Sequence, residues 1–441
     1  MNARLKSFHR CLLAAVPACF LLGGCLRPPP PPGTTRVQLY FMGWPTDVRE
    51  NQPMLDEFER ENPGIKVDVT LVNSGSYSER MQTLIVGGII PDVMSVDINS
   101  YYEWADRGML ADVTDVMDGA ARAQKMSFMP IVPEQLRYHG RYYAVPYNMC
   151  GVILQVNLDI FRKGGVAIPP PEGVTWDWIA QVAPRLARRA GNPDAPAEVF
   201  CSMPDMASLL FTFGARIFDD DQNPHKVLVR SPEAEEMCRF VRKLVATRAV
   251  ISRAEITTGS NLTMENLFAG GQAAARIMGL WARPDLFGVP AGFSWDALPF
   301  PAGPHGARVT ADGAYLLGIN PKSRNVDAAR RLVRFYLSPR GIVINGRHGD
   351  YVPLFREITK WPEAMPGKDP VHRQYFVDTL ESGMCRFPVH GPGVAELRRV
   401  IDSRLDQVSA EPDMPIPVIL QTLEGEIYRW LEREKEDGFY R

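Results

Sequence analysis

Apolar and polar positions alternate with two different periods along residues 36–97. The segments RVQLYFMGWP (36–45), IKVDVTLV (65–72) and PDVMSVD (91–97) are rich in β-branched and aromatic residues, which predicts three strands. Two segments between them, VRENQPMLDEFERENPG and YSERMQTLIVGG, carry apolar residues at helical spacing and end in glycine, which predicts two helices. Because strand and helix alternate, the pattern favours a parallel α/β sheet covered by helices.

Beyond the segment GRYYAVPYNMCGVILQVN the pattern becomes mainly helical, from residue 158 to residue 292. Helical spacing is present in TWDWIAQVAPRLARRA, MASLLFTFGARIF, SPEAEEMCRFVRKLVATRAV and MENLFAGGQAAARIMG. Strand patterns return in FSWDALPF and GAYLLGIN, and helical patterns return from Val326 onward. We therefore expect a second, helix-rich domain inserted into the first, with the chain crossing between the two more than once.

Hydrogen-bonding and aromatic side chains follow each of the three predicted strands. They lie in Gly43-Trp44-Pro45, in residues 73–77 and in residues 97–101. Ligands of open α/β sheets bind beyond the carboxyl ends of the strands. This placement is typical of a binding site.

The first 35 residues differ from the rest of the chain. A basic start precedes the mostly apolar residues 11–22, a run shorter than the roughly 20 residues that span a bilayer. The tetrapeptide Leu22–Cys25 then resembles a bacterial lipobox, in which the peptide is cut before the cysteine and that cysteine is lipidated. Pro28–Pro32 favour an extended spacer of roughly 15 Å. We expect Cys25 to carry acyl chains and the prolines to hold a folded body off the membrane; the alternative is an ordinary signal peptide that contains a cysteine.

Composition and motifs exclude several classes of function. The 441-residue chain has a formal net charge of −2 and no basic run, which argues against nucleic acid as its main partner. It contains no phosphate-binding loop, no HExxH and no GxSxG. DDDQNP (219–224) begins like a calcium loop, but Pro224 occupies the glycine position, so we interpret it as a turn and expect no metal or cofactor.

The cysteines leave one question open. Cys150, Cys201, Cys238 and Cys385 are widely spaced and include no CxxC pair, so a zinc site is not expected. They are either buried thiols or partly paired in a disulfide outside the cytoplasm.

Five stretches, in order, resemble the extracellular solute-binding proteins of ABC transporters, family 1, the group that includes maltose-binding protein. They span most of residues 36–356 and are GGIIPDVMSVDINSYYEWADRGMLADVTDVM, GRYYAVPYNMCGVILQVNLDIFRKGG, TWDW, LFAGGQAAARIMGLW and ALPFPAGPHGARVTADGAYLLGI. Two positions depart from the family pattern: Val156-Asn157 replaces Tyr-Asn, and Asp312 stands where Gly-Gly is common. The region after Tyr351 diverges too far to align.

The resemblance implies a periplasmic-binding-protein-like α/β fold, with two lobes joined by crossover strands and a ligand cleft between them. The corresponding segments are a signal peptide (1–24), a lipidated cysteine with its proline-rich linker (25–35), lobe 1 (36–147), lobe 2 (148–292), a return to lobe 1 (293–337), and lobe 2 with the hinge (338–441). The lobes are expected to close on a ligand by a hinge motion.

Nine residues are candidates for ligand binding, and each has an alternative structural role in packing, capping or an exposed loop. Aromatic rings suit the apolar face of a sugar, and carboxylate or amide groups suit its hydroxyls. Gly313 would let the backbone approach a ligand, and an arginine would suit an acidic or phosphorylated ligand. The candidates are Trp44, Ser76, Tyr77, Asp97, Asn148, Trp281, Gly313, Tyr351 and Arg386.

The resulting functional hypothesis is a lipid-anchored, extracytoplasmic and monomeric binding protein of an ABC importer. It would bind a sugar or oligosaccharide and deliver it to the transmembrane subunits of a permease. The alternatives are another polar solute such as a sugar phosphate or polyol, a surface-anchored carbohydrate-active enzyme, and a sensor that reports ligand state to a membrane receptor. The sequence does not identify the solute, the permease or the membrane that holds the anchor.

Overall fold

The structure of the chain is a computed structural model. It describes residues 33–43, 45–73, 77–89, 91–221, 223–252, 255, 263–280, 294–310, 312–347, 352–365, 371–382 and 390–440. The chain divides into two units, Met1–Thr34 and Thr35–Arg441. Cys25 and nearly all of the first unit lie outside the described residues, so the helices and strands given below belong to the second unit.

The first part of this unit alternates strands and helices, as the sequence pattern predicts. Its elements are β1 (Thr35–Met42), α1 (Pro45–Glu61), β2 (Ile65–Val72), α2 (Tyr77–Val86), β3 (Val93–Asp97), α3 (Ile98–Asp106), α4 (Thr114–Gln124), α5 (Ile131–Leu136) and β4 (Val145–Gly151). The bounds of β2 match the predicted segment 65–72, and β1 and β3 begin within two residues of theirs.

The middle part carries short strands among helices. Its elements are β5 (Ile153–Asn157), α6 (Leu158–Lys163), α7 (Trp176–Leu186), β6 (Cys201–Ser202), α8 (Met206–Thr212), α9 (Pro232–Ala246), β7 (Val250–Ile251), α10 (Met264–Ala269), β8 (Ala275–Met278) and β9 (Trp295–Leu298).

The last part returns to the first sheet and ends in helices. Its elements are β10 (Asp312–Ile319), α11 (Val326–Tyr336), α12 (Pro339–Gly346), α13 (Gln374–Glu381), α14 (Val394–Ala410) and α15 (Ile416–Glu436). None of the helices among the described residues is long and apolar enough to cross a bilayer.

One predicted helix is wrong in its second half. The sequence predicts a helix over MENLFAGGQAAARIMG, but only Met264–Ala269 is helical. Gly270 and Gly271 end this helix, and Gly271 adopts a φ of +68° that favours glycine. The alanine-rich residues that follow form β8, because they pair with β5 and are buried.

The larger sheet has the strand order β2-β1-β3-β10-β4. β1 is parallel to β2 and to β3, which confirms the predicted parallel arrangement, whereas β10 is antiparallel to both of its neighbours. α1 packs against β2 and α11 against β10, while α3 covers β3. This sheet and its helices form the first lobe.

The second lobe is built on two smaller sheets. β5 lies between β8 and β9 in one, and β6 pairs with β7 in the other. α14 packs against α8 and α9 as well as against α15, so the C-terminal helix pair belongs to this lobe. Together the two lobes form a mixed α/β architecture.

The connection between the lobes is short. β4 of the first lobe ends at Gly151, and β5 of the second lobe begins at Ile153. Thr310 Oγ1 donates to the carbonyl of Val152 at 2.9 Å, so the chain returning to β10 runs beside the outgoing one. A Cβ at Gly151 would collide with Thr379 of α13, which explains why glycine occupies this position.

The packing partners bear on the lobe boundaries. β9 pairs with β5 in the second lobe, although residues 293–337 are predicted to form the return segment of the first. α12 packs against α1 and α11 of the first lobe, although it lies in the segment 338–441. These contacts favour a return segment that begins after β9 and extends through α12; the boundaries themselves stay predictions.

Two local features bear on the calcium-loop and cysteine interpretations. Asp219 accepts hydrogen bonds from the backbone N–H groups of His225 and Lys226, at 3.0 and 2.8 Å, which hold the pKa of its carboxyl at about 2. This is a hydrogen-bonded turn, and no group of three or more metal-ligating side chains occurs among the described residues. Cys201 and Cys238 are buried free thiols, and burial raises the pKa of both.

Glu434 on α15 is buried, with Oε2 making no hydrogen bond to the described part of the chain. The pKa of its carboxyl is raised from 4.5 to about 7: burial is the largest cause, Arg433 opposes it, and Asp437 and other nearby carboxylates add to it. The folded state therefore holds a proton that the unfolded state loses, so Glu434 should reduce stability as pH rises from about 4.5 through 7.

We expect Glu434→Gln to be more stable than the wild type at pH 8, and the difference in melting temperature to shrink at pH 5. Glu432→Gln, an exposed neighbour on the same helix, is the control and should show no such pH dependence. Thermal unfolding across pH measures both, and a pH-independent difference for Glu434→Gln would contradict the assignment.

Candidate ligand-binding site

Three polar or aromatic residues stand in one row across the first lobe's sheet. Asp97, the last residue of β3, is opposite Tyr315 of β10, and Tyr315 is opposite Asn148 of β4. Residues directly opposite each other on neighbouring strands point to the same face, and strands lie about 4.8 Å apart. Two of the predicted ligand-binding residues, Asp97 and Asn148, are thereby brought to the same row, with Tyr315 between them.

The pairing of β10 with β4 is irregular at this row. Tyr315 is opposite Asn148, but the next residue, Leu316, is opposite Pro146, so Tyr147 is an extra residue on β4. Such a bulge bends the strand and redirects the side chains beside it. The Nδ2 group of Asn345 on α12 donates to the Tyr147 carbonyl at 2.7 Å and holds the bulge in place.

Asn148 is only 8 % exposed, and its Oδ1 has no hydrogen-bond partner among the described residues. A buried polar atom without a partner costs about 1–3 kcal/mol. Groups of this kind are uncommon in native proteins and call for an explanation such as a bound ligand. Trp176 and Glu434, which are not part of the row, also have such an atom, so the predicted role of Asn148 toward a ligand stays a prediction.

Asp97 fills the capping position of α3. Its Oδ1 accepts hydrogen bonds from the backbone N–H of Asn99 at 2.8 Å and from Asn99 Nδ2 at 2.7 Å. Asp97 therefore has the capping role that is the structural alternative to ligand binding at this position. A carboxylate has further acceptor capacity, so its predicted role toward a ligand stays a prediction.

Asn99 also joins the two lobes. Nη1 of Arg398, on α14 of the second lobe, donates to Asn99 Oδ1 at 2.5 Å. Beside this contact the rings of Tyr102 and His390 stack, with centroids 5.4 Å apart and 17° between their planes. The start of α3 is therefore held from the second lobe, next to the row that contains Asp97.

Tyr77 lies in the core rather than on a surface. Its side chain is 1 % exposed, its hydroxyl donates to the carbonyl of Tyr40 at 3.0 Å, and its ring stacks on Trp104. Burial raises the pKa of its hydroxyl well above the ordinary value. In this structure Tyr77 packs β1 against α2 and α3, and its predicted contact with a ligand stays untested.

The other candidates fall in two groups. Gly313 lies on β10, opposite Cys150 of β4, at the crossing between the lobes. The remaining predictions lie outside the described residues: Trp44, Ser76, Trp281, Tyr351 and Arg386.

The structure does describe the end of β8, which precedes Trp281 in the chain. Gln155, fully buried on β5, donates from Nε2 to the carbonyls of Met278 and Gly279 at 3.3 and 3.2 Å. Its Oε1 accepts from Arg276 Nε at 2.8 Å, and the Arg276 guanidinium lies over the ring of Phe268. These contacts fix the end of β8, a few residues before Trp281.

The nine candidates do not include Tyr315, Asn99 or Arg398, although Asn99 lies in the stretch 97–101 that the strand pattern indicates. Tyr315 stands in the segment GAYLLGIN, whose period-2 pattern gives one face of a strand but not its partners. Asn99 and Arg398 come from opposite lobes and are 299 residues apart, so only the tertiary structure brings them together.

The strands of this row lie within a stretch that matches a known protein family. A family model described as bacterial extracellular solute-binding protein matches residues 46–342. This chain belongs to the bacterial extracellular solute-binding protein family. The match runs from α1 into α12 and thus includes β3, β10 and β4, all three strands of the row.

One relative and two solved structures are similar to this solute-binding protein over most of its length. An uncharacterized lipoprotein in the oleD 5′ region of Streptomyces antibioticus is 26% identical over 347 residues, 76% of this chain and 74% of that protein. The substrate-binding protein Lmo0181 of Listeria monocytogenes, solved with cycloalternan, has a TM-score of 0.76 at 21% identity, covering 92% of this chain and 100% of that chain. UgpB of Mycobacterium tuberculosis, solved with glycerophosphocholine, has a TM-score of 0.76 at 16% identity, covering 91% and 100%. These structures establish the fold.

We expect Arg398→Ala to widen the range of distances between the lobes of this solute-binding protein and to weaken ligand binding about tenfold. A hydrogen bond from a charged donor contributes about 1.5 kcal/mol or more, which corresponds to roughly that factor. Small-angle scattering and titration calorimetry measure the two effects. Arg399→Ala, an exposed neighbour on α14, is the matched control, and identical behaviour of the two variants would contradict a role for the contact.

Proposed function

We propose that this chain is the lipid-anchored binding protein of an ABC importer and that it binds a sugar or oligosaccharide between its lobes. The family match supports solute binding, and the buried Oδ1 of Asn148 supports a polar ligand at the row Asp97–Tyr315–Asn148. A sugar presents many hydroxyl donors and apolar ring faces, which suit an amide, a carboxylate and an aromatic ring.

The proposal has three further parts: delivery of the solute, the residues that complete the site, and the membrane anchor. The loaded protein delivers its solute to the transmembrane subunits of a permease and acts as a monomer without catalysing a reaction. Trp281 stacks on the sugar from the second lobe, and Trp44, Ser76, Tyr351 and Arg386 complete the site. Cys25 holds the protein at the outer face of a membrane through its acyl chains.

The ligand class is tested by thermal unfolding against a panel of sugars, oligosaccharides, polyols and sugar phosphates. A ligand at 100 times its dissociation constant adds about 2.7 kcal/mol of stability, which a shift in melting temperature detects. A shift only with polyols or sugar phosphates would replace the sugar by another polar solute. Release of a cleavage product from an oligosaccharide would replace the binding protein by an enzyme.

Saturation with the ligand found in this panel should compact the protein, because the lobes close on it about the crossing at Gly151. The radius of gyration from small-angle scattering should fall when ligand is added. An unchanged radius under saturation would count against closure of the lobes.

A further inference from the structure

The edge of the first lobe's sheet that lies away from the row contains a cavity. The amino ends of β1, β2 and β3 and the carboxyl end of β10 meet at this edge. A cavity of about 590 Å³ opens there between the turn from α1 to β2 and the start of α11. Pockets of about 300–1,000 Å³ hold small ligands or molecular fragments.

Two cations in this cavity have no counter-ion in the described part of the chain. Arg324 and Arg331 line it, and neither guanidinium forms an ion pair or hydrogen bond with a described residue. Two carboxylates also line the cavity: Glu61, which lies 3.6 Å from the guanidinium of Arg60, and Asp327. The cavity thus offers two guanidinium groups to an anion and the Asp327 carboxylate to hydroxyl groups.

One wall of the cavity is fixed by a buried carboxylate. Asp92 is 4 % exposed and accepts hydrogen bonds from Ser323 Oγ at 2.5 Å, Asn325 Nδ2 at 3.2 Å and the backbone N–H of Gln38 at 2.8 Å. Asn325 Nδ2 also donates to the carbonyl of Arg36 at 3.0 Å. The loop that carries Arg324 is therefore held against the sheet, and a held loop loses little entropy on binding.

The cavity lies close in the chain to the predicted lipid anchor at Cys25. Thr35, the first residue of β1, is itself part of the lining. Only nine residues separate it from Cys25, and even a fully extended chain would reach roughly 35 Å. Ile89, at the same edge of the sheet, is 48 % exposed. In a protein anchored through Cys25, Thr35 therefore stays within roughly 35 Å of the anchor.

We infer that this cavity binds the phosphate-containing headgroup of an anionic phospholipid, of the phosphoglycerol type. Arg324 and Arg331 hold the phosphate, and Asp327 accepts from the glycerol hydroxyls. The inference rests on the proposed lipid anchor, since the length of the tether keeps the edge within reach of the membrane. The bound headgroup holds the lobe with the row Asp97–Tyr315–Asn148 directed away from the lipid surface.

The test uses residues 26–441 without acylation, which retain the whole compact unit Thr35–Arg441. Sedimentation with vesicles of equimolar phosphatidylglycerol and phosphatidylcholine is compared with sedimentation with pure phosphatidylcholine at low salt. We expect binding to the anionic vesicles only. The double variant Arg324→Glu/Arg331→Glu should lose about tenfold or more in apparent affinity for the anionic vesicles, since each cation near an anionic surface strengthens membrane binding.

A matched double variant separates the cavity from overall charge. Arg185→Glu/Arg429→Glu makes the same change in net charge on exposed positions of the second lobe and should bind as the wild type does. Equal losses in both double variants, or wild-type binding by Arg324→Glu/Arg331→Glu, would overturn the inference. Glycerol phosphate should compete with the vesicles, whereas chloride at equal ionic strength should compete less.

The remaining outcomes distinguish the source of the phosphate and the proposed function. Binding of glycerol phosphate without binding of vesicles would overturn the lipid as the ligand and leave a soluble phosphate compound. Thermal shifts with the solute panel should be the same for Arg324→Glu/Arg331→Glu and the wild type, because the cavity lies away from the row. A failure of solute binding in both would contradict the proposed function alone.

Discussion

Cys25→Ala is expected to move the protein from the membrane fraction to the soluble fraction and to abolish incorporation of labelled palmitate. Each buried methylene of an acyl chain contributes about 0.8 kcal/mol to membrane binding, so two or more chains anchor a protein almost completely. The headgroup cavity alone supplies a few charge contacts, which salt screens. Fractionation in high salt therefore measures the contribution of the acyl chains.

Cys19→Ala is the control for this experiment, because Cys19 lies in the apolar run upstream of the predicted cleavage site. It should leave both the label and the membrane fraction unchanged. Mature Cys25→Ala protein that stays membrane-bound in high salt would refute the lipobox interpretation and leave the ordinary signal peptide as the alternative.

Asn148→Leu should weaken ligand binding by about 10- to 100-fold while leaving the ligand-free protein as stable as the wild type or more stable. Leucine has a similar shape, and it removes a buried oxygen that has no partner among the described residues. The free protein is relieved of a penalty of about 1–3 kcal/mol for that unpaired oxygen, whereas the complex loses a hydrogen bond in a buried site. Titration calorimetry and thermal unfolding of one sample measure the two effects.

Asn345→Leu is the matched control, since Asn345 is equally buried but donates to the carbonyl of Tyr147 at 2.7 Å. This variant should lose stability, because the carbonyl at the bulge loses its donor. A loss of stability in Asn148→Leu with intact affinity would instead make Asn148 a structural residue and remove it from the site.

Local sequence patterns predict β1, β2 and β3 well because these strands are bounded by strong stop signals. GWP follows β1 and a Pro-Gly turn precedes β2. The same reasoning fails at β8, where alanines and an arginine have high helix propensity. Pairing with β5 and burial in the second lobe decide the structure of β8 instead.

The candidate site is harder to predict from the sequence, because strand pairing decides which residues share the row. The pattern identifies Asp97 and Asn148 as polar residues at strand ends or crossings. It does not reveal that Tyr315 lies between them, since that requires the order β3-β10-β4. Likewise, the role of Arg398 depends on how α14 of one lobe approaches α3 of the other.

The strand order of the first lobe also has a consequence for synthesis and export. β3 cannot gain its partner β10 until residues far downstream have been made, since Asp97 pairs with Tyr315, 218 residues later. Closing so long a loop is slow, because contacts of high sequence separation delay folding. The sheet of the first lobe therefore remains incomplete while β5 to β9 of the second lobe are translated. The late pairing of β3 with β10 delays folding, and such a delay suits a chain that must pass through a membrane pore before it folds.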